Sequence, residues 1–265
     1  MLCCAGNSLA AGVEADDAGY ATALEKRRRV VQVNLLGIGL ISVWGIYKWD
    51  YFTRSPRVGS EGWFGNDTDE GGSDKLGHLY SSYAATHGLA CLYENWRFER
   101  DEAALYGALS SWAIMGFMEF GDSFSDYGFS IEDLLFNTVG SAFGYLLYLN
   151  TELASKIDLR WEYGIHPNSG DFLTDYENTK VLLALKLNGF EATRRGLLKH
   201  LELHLGYYTR GFDDHEPDRE RNIYVGIGVN LTDLLRRRGH AKTATVLNYL
   251  QLPGTYLPVK HDFNR

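Results

Sequence analysis

Polar side chains that could do chemistry recur in pairs along three predicted helices. Each pair has a spacing of three or four residues, which places both side chains on the same face of a helix. If three helices aim these groups at one another, they form a cluster of carboxylate, imidazole and amide groups. Such a cluster is typical of a site that binds a divalent cation or shares protons. The pairs are Asp74 with His78, Glu119 with Asp122, and Asp133 with Asn137.

The second and third pairs lie in a strongly acidic stretch. Residues 101–155 contain eight Asp and Glu residues and no Lys or Arg. Unpaired carboxylates in an apolar bundle are costly unless a cation, Lys75 or protonation offsets their charge. A divalent cation is therefore the candidate cofactor, although the sequence does not identify it. The predicted catalytic residues, which are also the candidate metal ligands, are His78, Glu119 and Asp122. The predicted binding residues of the polar cluster are Asp74, Lys75, Asp133 and Asn137.

Most of these residues also have a purely structural explanation. Asp133 and the serine three residues before it have the spacing of a capping box, which would only close the N-terminus of a helix. Asp74 at a helix start would only favour the helix dipole, and His78 would be a hydrogen-bonded core residue. Glu119 and Asp122 differ, because they lie at the C-terminal end of their predicted helix, where acidic side chains oppose the dipole.

Composition and motifs exclude several classes of protein. The chain has 265 residues, 45% of them apolar, which is enough for one large domain or two small ones and excludes a disordered protein. Its net charge of −8 argues against a nucleic-acid partner, since such proteins carry a basic stripe. No Gly-rich phosphate loop, serine nucleophile elbow, CxxC or HExxH motif is present, so nucleotide enzymes, common hydrolases and zincins receive no support.

The N-terminal segment, residues 1–20, is interpreted as a signal or processing region. It is rich in small residues, and Ser8-Leu9-Ala10 resembles a small-x-small cleavage site. Acylation of Cys3 is disfavoured, because Leu2 stands where a lipoprotein signal needs a small residue. A small-residue tail without any processing is the alternative.

Residues 26–52 are predicted to form a membrane-associated helix. The basic run Lys26–Arg29 is followed by the mostly apolar stretch Val30–Tyr47 and then by several aromatic residues, which is typical of a membrane helix. The stretch is short enough that a helix spanning the membrane and a helix lying at its surface both remain open. If it spans, the basic run is cytoplasmic and most of the chain is periplasmic. Membrane lipid is therefore a predicted partner, and inner versus outer membrane stays undecided.

The remainder of the chain predicts an α+β fold. Residues 53–73 hold Pro, Gly and acidic residues without an apolar period and are predicted to be a linker. The following region, 74–150, has three apolar stretches of helical length, and with the membrane-associated helix it predicts a bundle of about four helices. Small residues such as Gly107 and Gly144 would let these helices approach closely. The three stretches are Leu76–Tyr93, Ala103–Phe120 and Ile131–Leu149.

Residues 156–265 change to a period of two and are predicted to be an antiparallel, strand-rich region. Five strands are too few to close an outer-membrane barrel, which needs at least about eight. The expected arrangement is a meander packed on the helices, or a sheet with an open edge that is completed by envelope protein partners. The five predicted strands are 157–165, 181–187, 201–207, 223–229 and 246–256.

The order and spacing of several motifs resemble a known family. Residues 74–148 are similar to the bacterial predicted periplasmic lipoproteins typified by YfiM and, more distantly, to VanZ-like membrane proteins, which share the order D-K-x-x-H, E, D-x-x-x-N-x-x-G. The resemblance implies a helical, envelope-associated protein of undetermined activity, and the VanZ-like members suggest cell-wall or lipid-linked substrates. The sequence departs from the short lipoprotein members after Leu149, where the strand-rich region begins. The matching motif residues are Asp74, Lys75, His78, Glu119, Asp122, Asp133 and Asn137.

Three functions are compatible with these patterns. The favoured one is a non-enzymatic envelope protein, anchored by its helices, whose strand-rich region binds partners. The second is an enzyme at the membrane surface, in which Glu119 or Asp122 is the general base, His78 is an acid or ligand, and a cation polarises a phosphate or a lipid-linked glycan. The third is a proton or ion relay through carboxylates in the membrane.

Overall fold

A computed structural model describes residues 21–164, 174–212 and 218–264. The predicted signal region, residues 1–20, lies outside the described residues. Within them the chain has the predicted α+β fold, with four long helices followed by a mostly antiparallel sheet. The long helices are α1 (Ala23–Lys48), α2 (Ser73–Asn95), α3 (Arg100–Asp122) and α4 (Ile131–Leu149).

Helix α1 contains the predicted apolar stretch and extends it at both ends. Its start is set by a capping box, in which the Thr22 hydroxyl accepts from the backbone N–H of Glu25 while the Glu25 carboxylate accepts from the N–H of Thr22. Among the described helices, only α1 is long and apolar enough to cross a membrane. Several of its leucines, such as Leu36 and Leu40, are exposed.

The chain divides into two compact units. Among the described residues, the helical unit comprises 21–60 and 81–149, and the sheet unit comprises 61–80, 150–164, 174–212 and 218–264. Helix α2 is continuous through this division, so its first turns, up to Tyr80, are counted with the sheet unit. In the helical unit, two short strands, β1 (Val58–Gly59) and β2 (Phe129–Ser130), pair in parallel, so the predicted linker 53–73 contains one strand that the sequence did not predict.

Small residues let the helices of the helical unit approach one another, as predicted. A Cβ added to Gly107 of α3 would lie 2.7 Å from the backbone nitrogen of Ala90 in α2. A Cβ added to Gly144 of α4 would lie 2.8 Å from the Cβ of Thr86, also in α2. Backbone and side chains therefore meet directly at these two crossings, and no larger residue fits without moving a helix.

The sheet unit contains a six-stranded sheet with the strand order β7-β3-β4-β5-β6-β8. All neighbours are antiparallel except β3 and β7, which are parallel. The short helices α5 (Thr151–Lys156), α6 (Leu231–Arg237) and α7 (Ala241–Val246) accompany it. The strands are β3 (Ile157–Tyr163), β4 (Thr179–Lys186), β5 (Leu201–Arg210), β6 (Glu220–Val229), β7 (Leu250–Gln251) and β8 (Tyr256–Asp262).

Four of the five predicted strands are confirmed, and the prediction of a strand over 246–256 is wrong. Helix α7 ends at Val246, only Leu250–Gln251 pairs with the sheet, and the last long strand begins at Tyr256. The physical reason is the Pro253-Gly254 pair, because Gly254 has a φ of 74° and turns the chain between β7 and β8.

The sheet has an unusual distribution of polarity between its two faces. One face, called here the apolar face, carries exposed aliphatic side chains on β5, β6 and β8. The other face, called here the polar face, is buried and carries an ionic network. The apolar face consists of Leu203, Leu205, Val225, Ile227, Val229, Leu257 and Val259. The network of the polar face consists of Asp158, Arg160, Lys186, Glu202 and His204.

Candidate functional site

A chain of hydrogen bonds joins three helices in the core of the helical unit. The Ser82 hydroxyl of α2 donates to Oδ1 of Asn137 in α4 at 2.9 Å. The amide of Asn137 in turn donates to Oε1 of Glu119 in α3 at 3.1 Å. All three side chains are buried, with relative exposures of 1% or less. The amide of Asn137 is thereby oriented, and it holds the Glu119 carboxylate at a defined position.

Asp122 lies one turn after Glu119 at the end of α3, as predicted from its spacing. Burial raises the pKa of its carboxyl group from 3.8 to about 7, a hydrogen bond with Tyr51 opposes the shift, and the nearby charge of Asp133 adds to it. Asp122 of α3 and Asp133 of α4 are therefore close enough to influence each other's charge. At neutral pH the Asp122 carboxyl group is balanced between its protonated and ionised forms.

Tyr51, which follows α1, holds this end of α3 in place. Its ring is wedged between Gly45 of α1 and Gly121 of α3, where an added Cβ would clash with it. Its hydroxyl donates to the backbone oxygen of Met118 at 3.0 Å and is within hydrogen-bond reach of Asp122. Burial, together with the charge of Asp122, raises the pKa of the Tyr51 hydroxyl, so it remains a donor over the physiological range.

Asp133 is positioned by the start of α4. The Ser130 hydroxyl accepts from the backbone N–H of Asp133 at 3.2 Å, which is the predicted half of a capping box. The neighbouring Glu132 accepts from the Ser60 hydroxyl at 2.7 Å and so ties β1 to α4. Asp133 itself is 2% exposed, so its carboxyl group lies in the core of the protein.

A second cluster of charges lies in the sheet unit, around the start of α2. The Lys75 ammonium is buried and forms ion pairs with Asp74 and with Glu61, the latter at 3.1 Å. The segment that carries them packs on the sheet, since Ser73 and Thr209 share a hydrogen bond of 2.8 Å and the Tyr80 hydroxyl donates to the backbone oxygen of Tyr249. Lys75 therefore neutralises two carboxylates of its own unit.

His78 stands between the two groups along α2. It lies one turn after Asp74 and one turn before Ser82, so the helical period puts all three side chains on the same face of α2. Ser82 is the residue of that face that bonds Asn137. His78 is partly buried, and its imidazole lies on the same face of α2 as Ser82, one turn before it.

The structure groups the predicted residues in two sets. Within the helical unit it brings together Glu119 with Asn137 and Asp122 with Asp133. Within the sheet unit it pairs Asp74 with Lys75. Sequence reasoning missed three residues of these sets. For Ser82 the available signal was its position as a polar residue one turn after His78. The missed residues are Ser82, Tyr51 and Glu61.

Comparison with known proteins agrees with this picture at the level of the family. Residues 60–149 match a family model described as Predicted periplasmic lipoprotein (DUF2279). The match covers α2, α3 and α4 and all predicted site residues, and it confirms the resemblance of this segment to predicted periplasmic lipoproteins. No curated protein and no solved structure matches the chain. The similarities to YfiM itself and to VanZ-like proteins stay predictions.

The location predicted from the sequence agrees with these observations. The matched family is described as periplasmic, and the apolar helix α1 precedes the matched segment. The periplasmic description of the matched family and the apolar helix α1 both agree with the predicted location in the cell envelope.

Proposed function

We propose that this envelope protein binds a divalent cation in its helical unit, through the carboxylates of Glu119, Asp122 and Asp133. The observation that carries the proposal is the meeting of α3 and α4, where a buried glutamate is oriented by Asn137 and two aspartates influence each other's charge. A bound cation would offset the repulsion between the carboxylates.

The donor set indicates the kind of cation. Carboxylate and amide oxygens are preferred by hard ions such as Mg²⁺, Ca²⁺ and Mn²⁺. In this proposal Asn137 and Ser82 are positioning residues, and Tyr51 positions Asp122.

The proposal predicts a particular pH dependence. Metal ligands bind in their ionised form, so protons compete with the cation. Because the pKa of Asp122 is about 7, cation affinity should rise as the pH increases through neutrality. A site made only of exposed carboxylates would already be fully ionised there and would show no such rise.

Metal analysis and calorimetry on the full chain in detergent test the proposal. Wild type should bind one Mn²⁺, and the Glu119→Gln, Asp133→Asn double variant should lose that binding while keeping its helical circular dichroism. Asp126→Asn is the matched control, because Asp126 lies in the same acidic stretch but is exposed and paired with Arg54. Equal Mn²⁺ binding by the wild type and the double variant, or none by either, would contradict the proposal.

A bound cation is compatible with two roles, which a further measurement separates. If the cation is structural, as in a non-enzymatic envelope protein, its removal by a chelator should lower the melting temperature strongly. If it is catalytic, removal should leave the fold intact and abolish turnover of a phosphate ester or lipid-linked substrate. The second role is the one that the predicted similarity to VanZ-like proteins favours.

Proton exchange at Asp122 is a second candidate function. Its support is the pKa of about 7, which lets this carboxyl group take up and release a proton near neutral pH. Infrared titration of the carboxyl band in wild type and Asp122→Asn, with a chelator present, measures it directly. A band that titrates near pH 4 in wild type would rule this role out.

A further inference from the structure

The sheet of this protein exposes aliphatic side chains, which most sheets bury. In the register of β5, β6 and β8, Leu205 faces Val225, which faces Val259, and the next row is equally aliphatic. Val225 is 58% exposed and Val259 is 80% exposed. The members of the apolar face include no charged residue. A continuous apolar surface of this kind marks an interaction site with a protein or a membrane.

The polar face explains why the strands cannot shift register by one residue, which would exchange the two faces of the sheet. Arg160 contacts both Glu202 and Asp158, at 2.6 and 3.0 Å, and Lys186 contacts Asp158 at 2.6 Å. His204 completes this buried network through Glu202 at 2.9 Å. The strand period then forces the alternate aliphatic residues onto the outer face. The exposed apolar face is thus a consequence of a specified register.

Basic side chains precede the first residue of β5, at the end of the sheet where Leu201 pairs with Val229 of the apolar face. Leu197 and Leu198, which directly precede β5, are exposed, and they stand between the cationic residues Arg194, Arg195 and Lys199. Exposed leucines among cations fit the boundary between acyl chains and anionic headgroups.

The two edge strands of the sheet limit how deeply the apolar face can enter a lipid bilayer. Strands β7 and β8 are the edge strands of the described sheet. Unpaired backbone groups of an open edge are not tolerated within the hydrocarbon core of a bilayer. The sheet therefore cannot cross the membrane in this form, whereas side chains projecting from its face can enter the upper acyl region while the edges stay at headgroup level.

We propose that the apolar face of the sheet lies on the surface of an anionic phospholipid membrane, with its aliphatic side chains in the upper acyl region and the basic cluster at the headgroups. A protein partner would need a matching apolar surface, whereas the combination of leucines and arginines at the end of the face is what a lipid surface recognises. The inference does not depend on the proposed cation site, because it involves none of the same residues.

Site-specific fluorescence quenching tests this surface in the full chain. An environment-sensitive dye is attached at Val225→Cys, in a background where Cys3, Cys4 and Cys91 are replaced, and the protein is reconstituted into vesicles of phosphatidylethanolamine and phosphatidylglycerol. The matched control position is Thr243→Cys in α7. Thr243 is exposed. Its helix α7 is followed by Leu247, which lines a cavity together with Arg160, so α7 lies on the side of the polar face.

The expected result is strong quenching of the Val225 dye by a lipid that carries its quencher near the headgroup, and weak quenching by one with a deep quencher. The Thr243 dye should not be quenched. Adding Leu257→Asp and Val259→Asp should abolish the quenching without changing the melting temperature, because both side chains are about 80% exposed. If this variant still binds the vesicles, its loss of quenching is not a loss of anchoring through α1.

Three results would overturn the proposal. Equal quenching at both dye positions would mean that the dye itself partitions into lipid. A blue-shifted Val225 dye that no lipid quencher reaches would mean that a second copy or another protein covers the face. Stronger quenching by the deep quencher would mean that the sheet enters the hydrocarbon core.

Discussion

Two carboxyl groups at the end of α3 belong to the proposed cation site of the helical unit. Glu119 and Asp122 lie in the last turn of α3, where the helix dipole disfavours negative charge, and burial adds to this cost. Asn137 and Tyr51 compensate in part, each by hydrogen bonding to one of the two carboxyl groups. Such an arrangement costs stability, and this cost supports the proposed cation site.

The first prediction concerns Asp122 and pH. The folded protein holds the Asp122 proton up to about pH 7, whereas the unfolded chain releases it near 3.8. The contribution of this group to the free energy of unfolding is therefore complete below pH 3.8 and is lost as the pH rises through 7. Relative to wild type, Asp122→Asn should become more stable between about pH 5 and about pH 8, by on the order of 2 kcal/mol.

Denaturant unfolding of both proteins at the two pH values, with a chelator present, measures this difference. Asp126→Asn serves as the control and should show no comparable change, because Asp126 is exposed. A constant difference between Asp122→Asn and wild type across the pH range would mean that the carboxyl group is already ionised in the folded protein.

At the scale of elements, glycine contacts position the helices that carry the site. Ser111 of α3 donates to the backbone oxygen of Ser82 in α2 at 2.9 Å, one turn beyond the closest approach at Gly107. This contact fixes Ser82, which in turn orients Asn137. The spacing between α2 and α3 therefore determines the geometry of the polar cluster.

The second prediction is that Gly107→Ala separates these two helices. The added Cβ would meet backbone atoms of α2 at 2.7 and 2.8 Å, and backbone cannot yield as a flexible side chain can. We expect a loss of about 1–3 kcal/mol in the free energy of unfolding, measured in denaturant. The same change should weaken Mn²⁺ binding, because it moves Ser82 and Asn137.

Gly116→Ala is the matched control on the same helix. Its added Cβ would meet only Leu134 Cδ1, at 3.7 Å, which is an ordinary contact. Alanine is the better helix former, so this variant should be neutral or more stable by up to about 1 kcal/mol. If both substitutions have the same effect, close packing at Gly107 is not what holds the helices.

At the scale of the whole molecule, the chain has two features that suit a membrane environment. One is α1, with its basic start and exposed apolar surface, and the other is the apolar face of the sheet. They belong to different units of the chain. If α1 anchors the chain, the proposed membrane contact of the sheet is held at high local concentration, so that even a weak contact would be occupied.

The third prediction tests whether α1 is embedded in the bilayer. Leu36 lies near the middle of α1 and is 64% exposed, so Leu36→Arg should not disturb packing within the protein. It should weaken membrane insertion of the helix by about 3 kcal/mol, as measured by the inserted fraction of α1 in a translocon assay. Leu24→Arg at the helix start is the control, since an arginine there reaches the headgroups at little cost. Equal insertion of both variants would favour an α1 that docks at the membrane surface.

The sequence alone predicted the four long helices and four of the strands. The apolar stretches that form α2, α3 and α4 have the length of helices, and β3, β5 and β6 alternate over several residue pairs, so chance contributes little to these predictions. The exception was the strand predicted over 246–256, where the turn at Gly254 outweighed the apolar composition. The pairs Asp74–His78, Glu119–Asp122 and Asp133–Asn137 were also local, because helical spacing alone puts their members on a common face.

Only the tertiary structure decided which of these side chains meet. No local rule relates Ser82 to Asn137, or Tyr51 to Asp122, because their contacts depend on how helices pack across glycines distant in sequence. The same holds for the sheet, where alternation predicted two faces but not which one is buried. That choice depends on the ionic network of Arg160 with Glu202 and Asp158, whose members come from strands about 40 residues apart and can only be paired by the folded chain.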